Sequence, residues 1–213
     1  MGDFVVRRAT VADQRAVTEL LRVSLGKEDD PHYEAFLDWK HQQNPFGVSP
    51  AWVALDGARV VGYRTLLRWR FISADGKRVS AVRAVDTATD PEYRGRGLFR
   101  LLTLGAVADL TRDGDAFVFN TPNDSSRPGY LSMGWSQVRR LPVGVLPSGP
   151  GSLARMLRSR TASLLWSEHS DVGLDARSAL SDDGVCAGLL AHAPRAGLRT
   201  DRTPEYLRWR TCF

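Results

Sequence analysis

A short glycine-rich segment joins a β-type run to an apolar helical pattern, and its residue types suit anion binding. Its residues are Arg94, Gly95, Arg96, Gly97, Leu98 and Phe99. Glycine lets a backbone approach a ligand closely, and the first N–H groups of a helix, together with its dipole, favour a phosphate. The pattern therefore predicts a phosphate site where strand and helix meet. The alternative is an ordinary strand-to-helix turn with solvated arginines.

Two common nucleotide-binding loops are excluded at this segment. A dinucleotide-binding turn has glycine at its first, third and sixth positions, but the sixth position counted from Gly95 is Arg100. The chain also has no Gly-x-x-x-x-Gly-Lys phosphate loop. Dinucleotides and nucleoside triphosphates are therefore disfavoured as ligands.

A second pattern lies downstream, and with the first it resembles a known family. Its residues are Asn123, Ser126, Tyr130, Gly134 and Trp135. The glycine-rich segment resembles the Arg/Gln-x-x-Gly-x-Gly/Ala turn with which GNAT-type N-acetyltransferases bind the pyrophosphate of acetyl-CoA. The downstream residues resemble that family's Asn-x-x-Ala-x-x-x-Tyr-x-x-x-Gly-aromatic spacing, with serine in place of alanine. Phe99 departs from the first pattern, which has glycine or alanine at that position.

The resemblance implies roles for individual residues. Asn123 would contact the pantetheine arm of the cofactor, and Tyr130 would protonate the departing thiolate. Main-chain N–H groups at the splayed end of the preceding strand would bind the oxyanion. The implied cofactor-binding residues are Thr87, Ala88, Thr89, Arg94, Gly95, Arg96, Gly97, Leu98, Phe99 and Asn123. A packed tyrosine and a helix-capping asparagine are the structural alternatives.

The sequence gives weaker signals for the residues that would bind and deprotonate the amine acceptor. An amine must be neutral to attack a thioester, so a base is needed, and Asp86 is the nearest acidic residue by sequence. An ion pair between Asp86 and an arginine such as Arg83 is the structural alternative. His32 and His41 fall where relatives bind the acceptor, but we interpret each as a surface histidine. Three consecutive acidic residues could attract a cationic amine or be merely solvated: Glu28, Asp29 and Asp30.

The surrounding periodicity predicts the elements that position these residues. Strands are expected at 4–8, in a three-stranded meander over 51–89, at 116–120 and at 135–145. Helices are expected after Thr10, at 33–43, at 98–110 and within 124–133, the last with Pro128 in its first turn. The fold class is therefore α/β (α+β), the GNAT fold, with a mixed and mostly antiparallel sheet flanked by helices.

The sequence changes in character after residue 146. Residues 147–151 resemble a linker, and residues 153–166 predict an amphipathic helix that packs its apolar side on the rest of the protein. We therefore expect an acetyltransferase domain at 1–146 and a linker, helix and C-terminal appendage at 147–213. Residues 205–210 echo residues 34–40, which resembles tandem-GNAT proteins with most of the second unit missing.

Composition limits the classes of partner. The chain has 213 residues, 43% of them hydrophobic, and a net charge of +5. Neither cysteine has a metal-ligand spacing, and no apolar stretch has the length of a signal peptide or membrane span. We therefore expect no metal, no membrane and a cytoplasmic location. The positive charge suits a phosphate-bearing partner, but no nucleic-acid-binding motif accompanies it, so nucleic acid is not expected. A homodimer is left open.

Together these patterns predict acetyl-CoA-dependent transfer of an acetyl group to a primary amine of a small molecule, for which an amino sugar is one choice. The alternative from another class is a catalytically silent acyl-CoA-binding or interaction module of the same fold.

Overall fold

A computed structural model of the protein describes residues 4–139, 144, 149–159 and 173–212. Six strands of this part of the chain form one sheet: β1 (Val5–Arg8), β2 (Ala51–Asp56), β3 (Arg59–Ile72), β4 (Arg78–Thr89), β5 (Phe117–Phe119) and β6 (Arg199–Thr200). The α-helices are α1 (Gln14–Leu25), α2 (Tyr33–His41), α3 (Leu98–Asp113), α4 (Arg127–Ser132), α5 (Pro150–Arg158), α6 (Ala176–Ser181), α7 (Asp183–Ala191) and α8 (Pro204–Thr211).

The sheet is mostly antiparallel, with strand order β1-β2-β3-β4-β5. The tight turns at Asp56-Gly57 and Asp75-Gly76 connect β2, β3 and β4 into the predicted meander. α3 then crosses over the sheet and returns the chain to β5, which pairs with β4 in parallel. The predicted fold class, a mixed sheet flanked by helices, is confirmed.

Hydrophobic side chains cover both faces of the sheet. On one face, α3 buries a stripe at helical spacing that includes Leu98, Leu102 and Leu110, against strand residues that include Val61 and Val82. On the other face, α1 and α2 pack against a second set of buried residues: Val17, Leu20, Leu21, Tyr33, Val53, Tyr63 and Ala88. Each fully buried leucine contributes roughly 1.5–3 kcal/mol. The site described below lies between these two layers.

Two irregularities in β4 open the sheet near its end. The pairing of β3 with β4 shifts register between Arg64 and Thr65, so that Asp86 is an extra, bulged residue with φ 28°. β5 pairs only with the segment from Ala81 to Arg83. In the described chain, the rest of β4 therefore has no neighbouring strand on that side, and β4 and β5 diverge.

The strand predicted at 135–145 is wrong for its described part. Residues 135–139 have no regular secondary structure, while 140–143 and 145 lie outside the described residues. Gly134 turns the chain with φ 95°, and the N–H of Trp135 donates to the carbonyl oxygen of Tyr130 at 3.2 Å. The Trp135 ring packs on Tyr130, 5.5 Å between centroids. These contacts tie the segment to α4 instead of to the edge of β5.

The C-terminal elements contact the sheet and α2. β6 pairs with β3, and α8 brings Trp209 onto Trp39 with ring centroids 4.9 Å apart. Each indole Nε1 donates to the other residue's carbonyl oxygen, at 2.8 and 2.9 Å. The echo noted in the sequence thus pairs two similar segments in space. The tandem-unit interpretation and the boundary at residue 146 stay predictions.

The prediction that the helix at 153–166 packs its apolar side on the rest of the protein is wrong for its described part. α5 ends at Arg158, and its Leu153, Met156 and Leu157 are 41%, 46% and 77% exposed. The remainder of the predicted helix, from residue 160 to 166, falls outside the described residues. In the described ranges, no helix is long and apolar enough to cross a membrane.

Candidate active site

The corner between β4 and α3 presents main-chain N–H groups that lack acceptors. Asp90 fixes the turn before it by accepting hydrogen bonds from the N–H of Glu92 at 3.0 Å and from Arg59 at 2.6 Å. Within the described residues, none of the N–H groups of residues 95–100 donates to an acceptor. Gly95 and Gly97 have φ of 76° and 81°, and a Cβ on either would meet nothing within 4 Å. The corner is therefore open to a ligand, and its backbone suits an anion.

Arginine side chains surround this corner. Arg94 and Arg96 are exposed, and the Arg96 guanidinium lies 4.6 Å from the centroid of the Tyr93 ring. Arg100 donates to the carbonyl oxygen of Ser132 at 3.2 Å and so connects α3 to α4. Positive charge at the N-terminus of a helix adds to the helix dipole, so this corner has the electrostatics for a phosphate or diphosphate.

The departure at Phe99 is matched by an unusual glycine in α4. A Cβ added to Gly129 would lie 3.1 Å from Cε1 of Phe99, closer than nearly all such contacts. Glycine inside a helix costs about 0.5–1 kcal/mol relative to alanine, but here it makes room for the ring. Phe99 therefore points inward between α3 and α4 and leaves the glycine corner uncovered.

Tyr130 lies beneath α4 and contacts an arginine that the sequence analysis did not single out. The tyrosine is 6% exposed, and its Oη accepts a hydrogen bond from Nη2 of Arg64 at 2.8 Å. Its ring is edge-on to Phe99, 5.3 Å between centroids. Tyr130 also lines a cavity of about 610 Å³ together with β5 and the segment after α4. Tyr130 thus lies beside a space that borders the end of β5.

Arg64 is fully buried in the middle of β3, at 0% exposure. Its Nε and Nη1 have no hydrogen-bond partner, and no carboxylate of the described chain forms an ion pair with it. Its guanidinium lies 5.5 Å from the ring of Phe99 and 5.4 Å from that of Tyr130. An uncompensated buried charge costs about 3–5 kcal/mol, whereas desolvated cation–π contacts return about 2 kcal/mol. Packing alone does not account for this arginine.

Asn123 is exposed, and the end of β4 has one unpaired edge in the described chain. The Oδ1 of Asn123 accepts from the N–H of Ser126 at 2.9 Å, so it caps the turn before α4. Thr87, Ala88 and Thr89 pair with β3 along one edge of β4. Backbone groups of a strand alternate between its two edges, so part of this segment's N–H groups face the open side.

Asp86, the predicted base, is held by two side chains of α2. Its Oδ2 lies 2.6 Å from Nζ of Lys40 and 2.8 Å from Nε2 of His41. Burial acts to raise the pKa of Asp86, but the hydrogen bond from His41 and the charge of Lys40 outweigh it and hold this pKa at about 2. Asp86 is therefore ionised at neutral pH and is a weak proton acceptor by itself. Its ion-pair partner is Lys40, whereas Arg83 donates to Thr121.

A second cavity, of about 530 Å³, lies between α1, α2 and the sheet. His41 lines it, is only 6% exposed, and its buried Nδ1 has no hydrogen-bond partner in the described chain. The prediction of a surface histidine is therefore wrong for His41, because α2 turns it toward Asp86; it is confirmed for His32, which is exposed. Two acidic side chains of α2, those of Glu34 and Asp38, also line this cavity.

Two residues of the site, Arg64 and Lys40, escaped the sequence analysis as functional candidates, and a third, His41, was considered there but interpreted as a surface histidine. Arg64 had a usable signal, because it is a single charge inside the otherwise uncharged run 60–67 of the sequence. Lys40 gave none, since a basic residue in the last turn of a helix is common for electrostatic reasons. In the described ranges, no group of three or more His, Cys, Asp and Glu side chains could hold a metal ion.

Comparison with protein families finds one match, to an acetyltransferase (GNAT) domain over residues 5–138. A search of curated proteins finds no match to this chain. The matched range ends in the segment after α4, and it includes the glycine corner, Asp86 and Tyr130.

Several solved structures share the fold of this chain. An acetyltransferase from Trypanosoma brucei is 21% identical, with a TM-score of 0.54, covering 68% of this chain and 100% of its own. AAC(6')-Iy, solved in complex with the bisubstrate analog CoA-S-monomethyl-acetylneamine, is 12% identical, with a TM-score of 0.55 and coverages of 67% and 97%. Glucosamine-6-phosphate N-acetyltransferase from Arabidopsis thaliana is 15% identical, with a TM-score of 0.51 and coverages of 67% and 97%.

Proposed function

This chain belongs to the GNAT acetyltransferase family, and on that premise we propose that it transfers the acetyl group of acetyl-CoA to a primary amine of a small molecule. The observation that carries the proposal is the open corner at residues 95–100, where consecutive N–H groups lack acceptors in the described chain. A diphosphate supplies the negative oxygens that such N–H groups bind. Only the binding of the cofactor's diphosphate requires these open N–H groups, so they support acetyl-CoA as the cofactor directly.

The proposed cofactor site runs from this corner toward the gap between β4 and β5. Its residues are those named from the resemblance: Thr87, Ala88, Thr89, Arg94, Gly95, Arg96, Gly97, Leu98, Phe99 and Asn123. The arginines and the N–H groups of the corner would hold the diphosphate. Asn123 uses Oδ1 to cap the turn before α4, which leaves its Nδ2 for the pantetheine arm. The Phe99 side chain would support the site indirectly, through its contacts with Gly129 and Tyr130.

Acetyl transfer needs two groups on the cofactor side. Negative charge develops on the thioester carbonyl oxygen as the amine attacks, and N–H groups on the open edge of residues 87–89 are suited to stabilise it. The thiolate of coenzyme A leaves and needs a proton, for which Tyr130 is the proposed donor. The buried position of Tyr130 beside the cavity at β5 supports this role.

On the acceptor side, we propose that Asp86 acts through His41. An aspartate with a pKa of about 2 takes a proton from an amine poorly, but it is suited to orient a histidine and to stabilise its protonated form. If Nε2 of His41 donates to Asp86, then Nδ1 carries the lone pair that accepts the proton of the amine, directly or through a water molecule. The absence of a described partner for Nδ1 supports this assignment.

The cavity beside His41 is the proposed acceptor site. Glu34 and Asp38 in its wall would attract a cationic amine from solution. Amino sugars fit this chemistry because they combine an amine with hydroxyl groups. Two proteins of similar structure are AAC(6')-Iy, solved with an acetylneamine bisubstrate analog, and glucosamine-6-phosphate N-acetyltransferase, although at 12% and 15% identity they share only the fold with this chain.

Two measurements test the proposal. Calorimetry with acetyl-CoA measures cofactor binding, and a free-thiol assay over a panel of amino sugars, aminoglycosides and polyamines measures turnover. Desulfo-coenzyme A, which keeps the diphosphate but lacks the thiol, serves as a binding control. We expect acetyl-CoA to bind, and at least one amine to release coenzyme A.

A matched pair of variants separates binding from chemistry. Tyr130→Phe is expected to lower kcat by about 10²-fold or more while the Kd for acetyl-CoA stays nearly unchanged. Arg94→Ala, in the exposed corner, is expected to weaken acetyl-CoA binding without an equal fall in kcat. Acetyl-CoA binding with no turnover on any amine would favour the silent acyl-CoA-binding module, and absence of binding would refute the cofactor site.

A further inference from the structure

Arg64 is a buried cation whose charge has no counterpart in the described chain. One edge of its guanidinium donates to Oη of Tyr130, while Nε and Nη1 have no acceptor among the residues that the structure describes. Other buried or half-buried arginines of the sheet do have carboxylate partners, such as Arg68 with Asp115 at 2.5 Å. A neutral side chain of similar size at position 64 would avoid the cost of burying this charge.

The hydrogen bond fixes the direction of the phenol proton. A guanidinium has donors only, so Oη of Tyr130 must be the acceptor in its contact with Arg64. The O–H of Tyr130 is therefore directed away from Arg64 and is free to donate to another group. Arg64 also lies opposite Thr87 in the pairing of β3 with β4, next to the bulge at Asp86. The pair thus lies at the point where the sheet opens.

We infer that Arg64 is a positioning residue that stabilises Tyr130 as a phenolate when this tyrosine protonates the departing thiolate. The inference rests on the proposed function, since it requires Tyr130 to be the proton donor. The O–H bond of the phenol breaks, an S–H bond forms on coenzyme A, and the phenol oxygen keeps the electron pair. The resulting negative charge lies 2.8 Å from Arg64, so the buried cation gains its counterion only in this state. The phenolate regains a proton from water after the products leave.

This arrangement explains why a buried charge is retained. Its cost is present in the resting protein and is relieved as the proton leaves Tyr130, so the interaction is stronger in the reacting state than in the ground state. The rings of Phe99 and Tyr130 keep water away from the guanidinium, which strengthens the interaction further. Phe99 thereby has a role at this position that glycine or alanine could not fill.

The test is a double-mutant cycle with Arg64→Met and Tyr130→Phe. In the protein with Tyr130, Arg64→Met is expected to lower kcat at least tenfold, with acetyl-CoA affinity unchanged within about twofold. In the Tyr130→Phe background, the same substitution is expected to change kcat by less than about twofold, since no phenolate can form. Arg64→Lys keeps the charge and is expected to retain an intermediate kcat.

Thermal unfolding separates this role from a structural one. Removing an unpaired buried charge is expected to leave the Tm of Arg64→Met unchanged or raised, although kcat falls. Leu66→Met, a buried substitution on the same face of β3, is the control and should leave kcat unchanged. A fall in Tm together with equal losses of kcat in both backgrounds would overturn the inference while leaving the proposed function intact. Full turnover by Tyr130→Phe would overturn the inference and the role of Tyr130 as proton donor, while acetyl transfer itself would stand. No turnover by the parent protein on any amine would overturn both the inference and the proposed function.

Discussion

Replacing Asp86 with asparagine removes a carboxylate that two side chains of α2 hold, while the size of the side chain is kept. Lys40 and His41, at 2.6 and 2.8 Å from its Oδ2, lose their charged partner. The pKa of Asp86 is about 2 in the folded protein, compared with an ordinary value of 3.8. The gap between these pKa values corresponds to about 2 kcal/mol of stability at neutral pH.

The direction of the pH dependence follows from the sign of this shift. Because folding lowers the pKa of Asp86, the stabilisation is fully present above 3.8 and is lost as the pH falls through about 2. We expect Asp86→Asn to reduce the free energy of unfolding by about 2 kcal/mol at pH 7 and by about 1 kcal/mol at pH 3. We also expect kcat to fall by at least about tenfold, because His41 loses the group that orients it.

Urea unfolding at several pH values, followed by tryptophan fluorescence, measures the first effect, and the free-thiol assay measures the second. Asp13→Asn is the matched control. Asp13 also forms an ion pair, with Arg7 at 2.7 Å, and the arginine lowers its pKa, but both residues lie outside the proposed catalytic groups. The control should lose stability with the same pH trend and keep its kcat. A stability difference for Asp86→Asn that is equal at pH 7 and pH 3, or an unchanged kcat, would refute the reasoning.

Three further predictions test other parts of the structure. Gly97→Ala should cost about 1 kcal/mol of backbone strain at φ 81° and weaken acetyl-CoA binding severalfold by calorimetry. Gly129→Val should lower the free energy of unfolding by about 1–3 kcal/mol in urea, because a Cβ already lies 3.1 Å from Phe99, and Phe99→Ala should suppress this loss. Trp209→Ala should lower the free energy of unfolding by about 3–5 kcal/mol, because the stack on Trp39 and two hydrogen bonds are lost.

Each of these predictions has an outcome that contradicts it. Unchanged acetyl-CoA affinity in Gly97→Ala would argue that the corner does not hold the diphosphate. Purely additive effects of Gly129→Val and Phe99→Ala would show that the two positions do not compensate each other. A Trp209→Ala variant as stable as the parent would show that α8 contributes little to holding α2.

Much of the fold could be predicted because its signals are local. The meander from 51 to 89 follows from β-type runs separated by Asp-Gly pairs, and the helix at 98–113 follows from apolar residues at helical spacing. The strand expected at 135–145 failed for its described part because alternation does not reveal competing contacts. Trp135 packs on Tyr130, and that contact depends on where α4 lies.

Some residues of the candidate site could likewise be predicted from local signals, and others could not. Gly95 and Gly97 could be identified because positive φ at a strand-to-helix junction is a requirement on single residues. The environment of Asp86 could not be predicted, because the bulge in β4 decides which way the carboxylate points. The compensation between Phe99 and Gly129 likewise joins two helices whose packing no local pattern specifies.

The sequence by itself determined the order of the strands and helices from β1 to α4 and the position of the glycine corner, because both depend on the conformations of neighbouring residues. Only the tertiary structure decided that Arg64 meets Tyr130, that His41 meets Asp86 and that Trp39 meets Trp209. These partners are 66, 45 and 170 residues apart in the chain. Strand register and helix packing bring them together, and both are properties of the whole core.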